Sequence, residues 1–251
     1  PKQIEASYRR LMAGREVRAN VARIEAAGSR VLYLEADVRD AGSVRAAVER
    51  ARRELGPIRA LIHGAGVLAD RLIEEKTPEL FDPVFDTKVA GLRNLLSCLD
   101  ARELKAVALF SSVSGRLGRA GQADYAMANE ALNKAAQSLA RRLPACRVVS
   151  IGWGPWEGGM VTPSLRKVFE AEGAGLLPLD AGGRHLAAEL GRSAAGVESF
   201  VEAQEALVPA FSRRERTDSP AGPPRRDASA PALSTVFERT LDAQSHPFLA
   251  S

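Results

Sequence analysis

Cysteine is scarce in this chain of 251 residues, which contains only two, Cys98 and Cys146. Both lie in apolar-rich segments without CxxC spacing, so we interpret them as reduced core residues of a cytoplasmic protein, and we predict no metal site. No apolar run reaches the length that crosses a membrane, and the opening residues, PKQIEASYRR, contain no signal-peptide core. The sequence therefore predicts a soluble, cytoplasmic protein without a membrane partner.

A large excess of one charge is also absent, since 35 basic and 31 acidic residues give a net charge of +4. The arginines are dispersed, and no aromatic residues suited to base stacking are interleaved with them. A mixed solvated surface is therefore favoured over a nucleic-acid groove, and we predict no nucleic-acid partner. Hydrophobic residues make up 45% of the chain, enough for the core of one α/β domain with or without a tail.

Segments typical of strands and helices alternate along the chain. Strands are predicted at Arg30–Ala36, Ile58–His63, Ala106–Ser111, Arg147–Trp153 and Glu198–Glu202. Helices are predicted over residues 1–27, at Ala41–Leu55, for about twenty residues from Pro78, around Tyr125, at Pro163–Glu172 and at Asp180–Arg192. Such alternation indicates βαβ units and a parallel sheet.

The composition changes near the end of the chain. Proline, charged and small residues mark residues 212–230 as a linker. We therefore predict one domain over residues 1–211 and the beginning of another over residues 231–251.

Small or polar residues follow four of the predicted strands. They are Asp37, Gly64–Gly66, Ser111 with Ser112, and Gly154–Trp156. Ligands of parallel sheets bind at the carboxyl ends of the strands, and packing alone explains such a set of residues poorly. We therefore predict that these residues form one site. The helix at Pro163–Glu172 follows the last of these loops and is interpreted as a lid over the site.

The segment Val107–Lys134 carries the candidate catalytic groups. Tyr125 and Asn129 are four residues apart, so on a helix their side chains share one face. Ser112 precedes the tyrosine by thirteen residues, which is enough chain for a loop to bring its hydroxyl back beside the phenol. This spacing is equally compatible with a strand, a glycine loop and a helix whose tyrosine packs on the core.

Lys88 lies inside the apolar stripe of the helix that begins at Pro78. That stripe consists of Phe81, Val84, Phe85, Leu92, Leu95, Leu96 and Leu99. A surface lysine should be out of phase with the buried face, and snorkelling of the amine to water is the structural explanation. The functional explanation is favoured, because a cation near a phenol lowers its pKa and makes tyrosine a usable proton donor.

Five segments of the sequence together carry a family resemblance. They are FSSVSGRLGRAGQADYAMAN, FDTKVAGLRNLL, HGAGVLAD, ADVRD and GWGPWEGGMV. In combination and order they resemble the ketoreductase domains of modular polyketide and fatty-acid synthases, members of the short-chain dehydrogenase/reductase superfamily, over roughly residues 14–205. HGAGVLADRLIEEKT and GWGPWEGGMVTPSL most resemble the ketoreductases of bacterial polyunsaturated-fatty-acid synthases and related iterative synthases. The resemblance implies a Rossmann-like, doubly wound parallel sheet.

The resemblance also implies roles for individual residues. The implied catalytic residues are Tyr125 as proton donor, Ser112 as hydrogen-bond donor to the ketone, and Lys88 and Asn129 as supporting groups. The implied NADPH-binding residues are Asp37 and Val38 at the adenine, Gly64, Ala65, Gly66 and Ser111 along the cofactor, and Pro155 and Trp156 at the nicotinamide. Asp70, Leu117 and Met160 are implied on the substrate side. The resemblance implies the 3R alcohol, because family members that give it have an aspartate at the position of Asp70. Members that give the 3S alcohol have a tryptophan where this chain has Leu117. The alternative interpretation of Asp70 is a loop residue that caps a turn.

The family's glycine-rich phosphate loop, which follows the first strand, is not found, because the sequence contains no GxGxxG. The glycine-rich GRLGRAG follows the serine strand, which is the wrong position for that loop. We therefore expect that the chain begins after the second strand, that the first strands and the phosphate loop are missing, and that residues 1–251 alone bind NADPH poorly and are inactive. SHPFLAS resembles the opening of a hot-dog dehydratase domain, with His246 as its structural histidine.

The leading hypothesis is NADPH-dependent reduction of an acyl carrier protein-bound 3-ketoacyl phosphopantetheine thioester to the 3-hydroxyacyl thioester. The reaction would take place within a multidomain synthase, beside a dehydratase domain. A free-standing short-chain alcohol dehydrogenase and a non-catalytic structural module of the same fold are the alternatives.

Overall fold

Four parallel strands form the centre of the structure, a computed structural model that describes residues 2–171, 174–192 and 196–201. The strands are β1 (Ala60–His63), β2 (Ala106–Ser112), β3 (Arg147–Trp153) and β4 (Glu198–Val201), and they are neighbours in that order. The register pairs Ser112 with Trp153 and Trp153 with Val201, so β2, β3 and β4 end together. β1 ends earlier, where His63 pairs with Leu109. The predicted linker and second domain, residues 212–230 and 231–251, lie outside the described residues.

Seven helices of the described residues precede or connect these strands. They are α1 (Lys2–Ala26), α2 (Ala41–Leu55), α3 (Pro78–Ser97), α4 (Ser114–Leu117), α5 (Ala123–Arg142), α6 (Pro163–Ala171) and α7 (Leu179–Gly191), with a 3₁₀ turn at Ile73–Glu75. Local signals define the ends of α2, where the Asp40 carboxylate accepts from the Gly42 amide at 2.8 Å and Gly56 ends the helix with φ 90°. None of the helices in the described part of the chain is long and apolar enough to span a membrane.

Side chains that alternate along the strands build a separate core on each face of the sheet. Val107 and Leu109 of β2 belong to a cluster with residues of α3 and α5, among them Leu92 and Leu132. Ala108 of β2 belongs to a second cluster on the opposite face. That cluster also contains Val149, Ile151, Trp153, Leu177 and Val201, with Leu186 and Leu190 of α7 packed against it. Helices on both faces of a parallel sheet are the three-layer arrangement of Rossmann-like folds.

The predicted strand at Arg30–Ala36 is wrong, because these residues form neither helix nor strand. Strand structure requires a hydrogen-bonding neighbour, and no other described segment pairs with these residues. Tyr33 in their middle is 61% exposed, and Ile62 of β1 is 48% exposed at the edge of the described sheet. The described part of the chain therefore buries the apolar residues Val31, Leu32 and Leu34 only partly.

Candidate active site

A cleft of about 520 Å³ opens at the carboxyl ends of the strands. Its lining includes nine of the residues that sequence analysis selected: Gly64, Lys88, Ser111, Ser112, Leu117, Tyr125, Pro155, Trp156 and Met160. The structure thus brings together residues from the loop after β1, from β2, α3, α4 and α5, and from the loop after β3. Ala65, Gly66, Asp37, Val38, Asp70 and Asn129 do not line this cleft.

The two serines at the end of β2 point to different environments. Ser111 is 4% exposed, and its hydroxyl donates to the backbone carbonyl of Asn129 at 3.2 Å, which ties β2 to α5. The Ser112 hydroxyl oxygen accepts from the amide and the hydroxyl of Ser114 at 3.2 and 3.0 Å. Because both of these bonds use the oxygen of Ser112 as acceptor, its own hydrogen remains available for an acceptor in the cleft.

Lys88 is buried, with 3% of the residue exposed. Its amine donates to the backbone carbonyl of Phe110 at 2.8 Å and lies 5.4 Å from the centre of the Tyr125 ring. Burial disfavours the charged form of the amine and lowers the pKa of Lys88 to about 8. Gly66 permits this position, since a Cβ there would lie 3.3 Å from Cε of Lys88.

Tyr125 lies in the first turn of α5 and lines the cleft. Burial raises the pKa of the Tyr125 phenol, the neighbouring Asn129 and Ser112 side chains lower it, and the Asp70 carboxylate raises it. Each effect follows from whether the neighbour favours the neutral or the ionised phenol. The side chains of Ser112 and Asn129 are therefore close enough to Tyr125 to influence its ionisation.

Asn129 connects the tyrosine to the interior. Its side-chain amide donates to the backbone carbonyl of Tyr125 at 2.8 Å, and the residue is fully buried. Its Oδ1 oxygen is buried and accepts no hydrogen bond from the described residues. A buried acceptor without a donor is costly, so this oxygen is a place where a water molecule or a ligand group would be stabilised.

Two aromatic residues form one wall of the cleft. Trp156 stacks on Phe110 with ring centres 6.5 Å apart and meets Trp153 edge-on at 4.7 Å. The close approach of α7 to this wall requires Gly182, because a Cβ there would lie 2.1 Å from the Trp156 ring. Pro155 and Trp156 are therefore held rigidly at the site that sequence analysis assigned to a nicotinamide.

Asp37 and Val38 lie farther from the cleft. The Asp37 carboxylate pairs with Arg39 at 2.8 Å on an exposed surface, and the hydrogen bond from Arg39 lowers the pKa of Asp37 to about 2. The carbonyl of Val38 accepts from the Asn94 side-chain amide at 2.9 Å, which attaches this segment to α3.

The residues assigned to the substrate side have different positions. Leu117 and Met160 line the cleft and are 50% and 40% exposed. The Asp70 carboxylate instead accepts from the side-chain amide of Gln122 at 3.0 Å, and Gln122 lines the cleft. Asp70 thus contacts the cleft wall through Gln122.

Helix α6 lies beside the cleft, as expected for a lid. Leu165 and Phe169 of α6 line the cleft. The Arg119 guanidinium lies 4.9 Å from the centre of the Phe169 ring, a cation–π contact between α6 and the loop before α5.

Sequence analysis missed two polar features beside the cleft. Lys76 and Asp124 form an ion pair of 2.8 Å whose side chains are 4% and 1% exposed. His63, 1% exposed, donates from Nε2 to the backbone carbonyl of Lys88 at 2.9 Å. Burial lowers the pKa of His63, so the neutral ring makes this bond. No cluster of metal ligands occurs among the described residues.

Comparison with known proteins adds to this geometry. A family model described as KR domain matches residues 2–158. One chain of the polyunsaturated fatty acid synthase of Thraustochytrium sp. is 47% identical over 183 residues, which cover 72% of this chain and 6% of that protein. A crystal structure of a ketoreductase domain from the bacillaene assembly line is 34% identical with a TM-score of 0.65, and the match covers 74% of this chain and 46% of that one.

A blue fluorescent protein from a metagenomic library, solved in complex with NADPH, shares the fold. It has a TM-score of 0.63 at 24% identity over 73% of this chain and 79% of that one. The chain thus spans 6% of the length of the Thraustochytrium synthase and less than half of the bacillaene domain. Because the KR model matches more than half of the chain, the chain belongs to the KR domain family, the ketoreductases of polyketide and polyunsaturated-fatty-acid synthases.

Proposed function

We propose that this chain reduces the 3-keto group of a 3-ketoacyl thioester with NADPH as the hydride donor, and that its product is the 3R alcohol. The observation that carries the proposal is the position of three groups in one cleft. The phenol of Tyr125, the hydroxyl of Ser112 and the buried amine of Lys88 all line it. A proton donor, a hydrogen-bond donor and a cation are the groups that stabilise negative charge as it develops on a ketone oxygen.

Tyr125 donates the proton in this reaction. Burial keeps its phenol protonated in the ground state, since it raises the pKa of Tyr125. The Lys88 ammonium then stabilises the phenolate that forms when the proton leaves. At the 5.4 Å that separates the amine from the ring centre, the attraction between two such charges is about 3 kcal/mol at an effective dielectric constant of about 20.

Ser112 donates its hydroxyl hydrogen to the ketone oxygen. The two bonds that its oxygen accepts from Ser114 orient the hydroxyl before substrate arrives, so little reorganisation is needed. The free Oδ1 of Asn129 holds a water molecule that returns a proton to Tyr125 after turnover. The amide of Asn129 is fixed by its bond to the Tyr125 carbonyl, which keeps this oxygen in place.

The residues present fit the nicotinamide half of NADPH. Gly64, Pro155 and Trp156 line the cleft on the side of the sheet edge, and Trp156 offers a flat, rigid surface to a ring. When bound there, NADPH supplies the hydride. Ser111, bonded to Asn129, keeps the end of β2 in register beneath that position. Asp37 and Val38 are assigned to the adenine, and Ala65 and Gly66 to the cofactor backbone.

The apolar lining of the cleft supports an acyl chain as substrate. Leu117, Met160, Leu165 and Phe169 provide an aliphatic and aromatic surface in the cleft. The match to synthases of much greater length supports a substrate tethered to an acyl carrier protein as a phosphopantetheine thioester. The resemblance of SHPFLAS to a dehydratase opening supports its delivery beside a dehydratase domain. Asp70, acting through Gln122, and Leu117 orient the ketone for formation of the 3R alcohol.

The experiment measures ketone reduction in two settings. The first is the chain of 251 residues, and the second is a chimera in which this chain replaces the matching segment of the Thraustochytrium synthase. Acetoacetyl thioesters of N-acetylcysteamine and of an acyl carrier protein are the substrates, and loss of NADPH absorbance is the readout. We expect the chimera to reduce both thioesters and the Tyr125→Phe variant to lose roughly a hundredfold to ten-thousandfold in rate. The exposed Tyr33→Phe variant is the matched control.

A chimera that folds and binds NADPH but reduces neither thioester would refute the catalytic proposal and favour the non-catalytic structural module. Preference for simple alcohols over thioesters would favour a free-standing dehydrogenase. Chiral chromatography of the product tests the stereochemistry, and a 3S alcohol would overturn that part of the proposal.

A further inference from the structure

A buried ion pair lies beside the cleft without lining it. The Lys76 amine is 2.8 Å from Oδ2 of Asp124 and donates to the backbone carbonyl of Ala69 at 2.6 Å. The exposed fractions of the two side chains are 4% and 1%. Neither residue reaches substrate or cofactor in the mechanism proposed above, so this pair needs a separate explanation.

The ion pair joins the beginnings of the two helices that carry Lys88 and Tyr125. Lys76 comes two residues before Pro78, the first residue of α3, and Asp124 is the second residue of α5. The second carboxylate oxygen of Asp124 accepts from the backbone amide of Tyr125 at 2.9 Å. One carboxylate therefore bonds both the Lys76 amine and the tyrosine backbone.

Further contacts hold the same two segments together. The amide of Arg71 donates to the carbonyl of Gly121 at 2.9 Å. The Gln122 side chain donates to Asp70 at 3.0 Å. The loop after β1 is thus attached to the start of α5 at three successive places, and the ion pair is the most buried of them.

Stability alone explains the pair poorly. Removing two charges from water costs several kcal/mol for each ion, and an apolar pair of similar volume is often as stable as a buried ion pair or more so. An ion pair is more directional than an apolar contact, because its hydrogen bonds fix the distance and the angle between the two groups. Between Lys76 and Asp124, this fixed geometry constrains the start of α5 relative to the start of α3.

We propose that Lys76 and Asp124 are positioning residues for the ketone reduction proposed above, on which this inference rests, and that they set the position of Tyr125 relative to Lys88 and to the loop that holds Asp70. Their contribution is to the geometry of the proton donor, and they take no part in proton transfer themselves. A displacement of about 1 Å in such a group lowers the rate by about a hundredfold.

The first test uses the chain of 251 residues and the double variant Lys76→Met/Asp124→Asn, which removes both charges and keeps an acceptor for the Tyr125 amide. The chain has three tyrosines, and Tyr8 and Tyr33 are 60% and 61% exposed. Tyrosine-selective NMR therefore follows the titration of Tyr125 with two internal references. We expect the variant to unfold at a urea concentration close to that of the wild type, while the midpoint of the Tyr125 titration falls from its raised value.

The second test measures kinetics of the same double variant in the chimera. We expect kcat to fall about tenfold to a hundredfold, with KM for the thioester within about threefold of the wild type. The matched control is Arg50→Met/Glu54→Gln, which removes an exposed ion pair of 2.8 Å on α2. This control should change neither the titration nor kcat.

A folded double variant with an unchanged Tyr125 titration and unchanged kcat would overturn the inference. If the double variant does not fold, Asp124→Glu carries the test, since it keeps both charges and lengthens one side chain by a methylene. Reduced kcat with a displaced titration then supports the inference, and wild-type values refute it. An inactive wild-type chimera would instead count against the proposed function, and the titration would still decide whether the pair positions Tyr125.

Discussion

Replacing Lys88 with methionine should make the protein more stable at neutral pH. Lys88 is 3% exposed, and burial lowers its pKa from the ordinary 10.5 to about 8. A lowering of this size corresponds to a cost of about 3 kcal/mol for folding with the amine charged. Methionine is apolar and of similar length, so it removes this cost. It also removes the 2.8 Å bond to the Phe110 carbonyl, a loss of about 1 kcal/mol.

The net gain from Lys88→Met is therefore about 2 kcal/mol at pH 7. Its sign depends on pH. Below the folded pKa of about 8 the amine is charged in both the folded and the unfolded protein, and the full cost is present. Between about 8 and 10.5 the folded protein releases its proton first, so wild-type stability rises with pH and the cost disappears. Near the upper end of this range only the lost hydrogen bond remains, and the variant becomes the less stable protein.

Urea unfolding of the wild type and of Lys88→Met at several pH values between 7 and 10.5 checks this prediction. Lys167→Met, at an exposed position on α6, is the control and should change the free energy of unfolding only slightly. A variant that is less stable than the wild type at pH 7, or a difference that stays constant across the range, would show that Lys88 is not destabilised by burial. The same variant should lose ketone reduction, because the cation that supports Tyr125 is gone.

Three further predictions follow from the site and its surroundings. Gly182→Ala should destabilise the protein and displace Trp156, because a Cβ at this position would lie 2.1 Å from the Trp156 ring. Gly183→Ala is the control, since the space around Gly183 is open, and it should stabilise the helix by up to about 1 kcal/mol. Thermal unfolding and tryptophan fluorescence distinguish the two variants. The kcat of reduction should fall as pH rises through the Lys88 pKa of about 8 while Tyr125, with its raised pKa, stays protonated; a flat profile from pH 7 to 9 would contradict this. Nicotinamide fluorescence titration should show weak NADPH binding by the 251 residues, because the sequence contains no GxGxxG turn to hold the pyrophosphate. Tight binding would show that another segment holds it.

Strands with a neighbour on both sides were predictable from the sequence. The strand at Arg147–Trp153 has the predicted bounds, and β2 extends the predicted Ala106–Ser111 by one residue. Both are largely apolar, the pattern of strands covered on two faces. The segment Arg30–Ala36 has the same pattern without a pairing partner in the described residues, so the pattern alone was insufficient.

Parts of the site could be predicted because their signals are local. The position of Lys88 within an apolar stripe indicated burial, and the spacing of Tyr125 and Asn129 indicated a shared helix face; both features are present in the structure. The roles assigned to these residues stay predictions. The ion pair of Lys76 gave no local signal. The sequence EEK at residues 74–76 is typical of a solvated loop, and the partner Asp124 is 48 residues away. Only the tertiary fold brings such a pair together.

Because the two faces of the sheet have separate apolar clusters, residues on each face can be substituted independently in protein engineering. The cluster with Leu132 supports the helices of Lys88 and Tyr125, while the cluster with Leu177 supports the Trp156 wall. Substitutions that lie far apart and share no partners usually combine additively to within about 0.5 kcal/mol. A library confined to the Leu177 cluster would therefore vary the support of the Trp156 wall and leave the cluster beneath Lys88 and Tyr125 intact. Beneficial changes found separately on each face could then be combined.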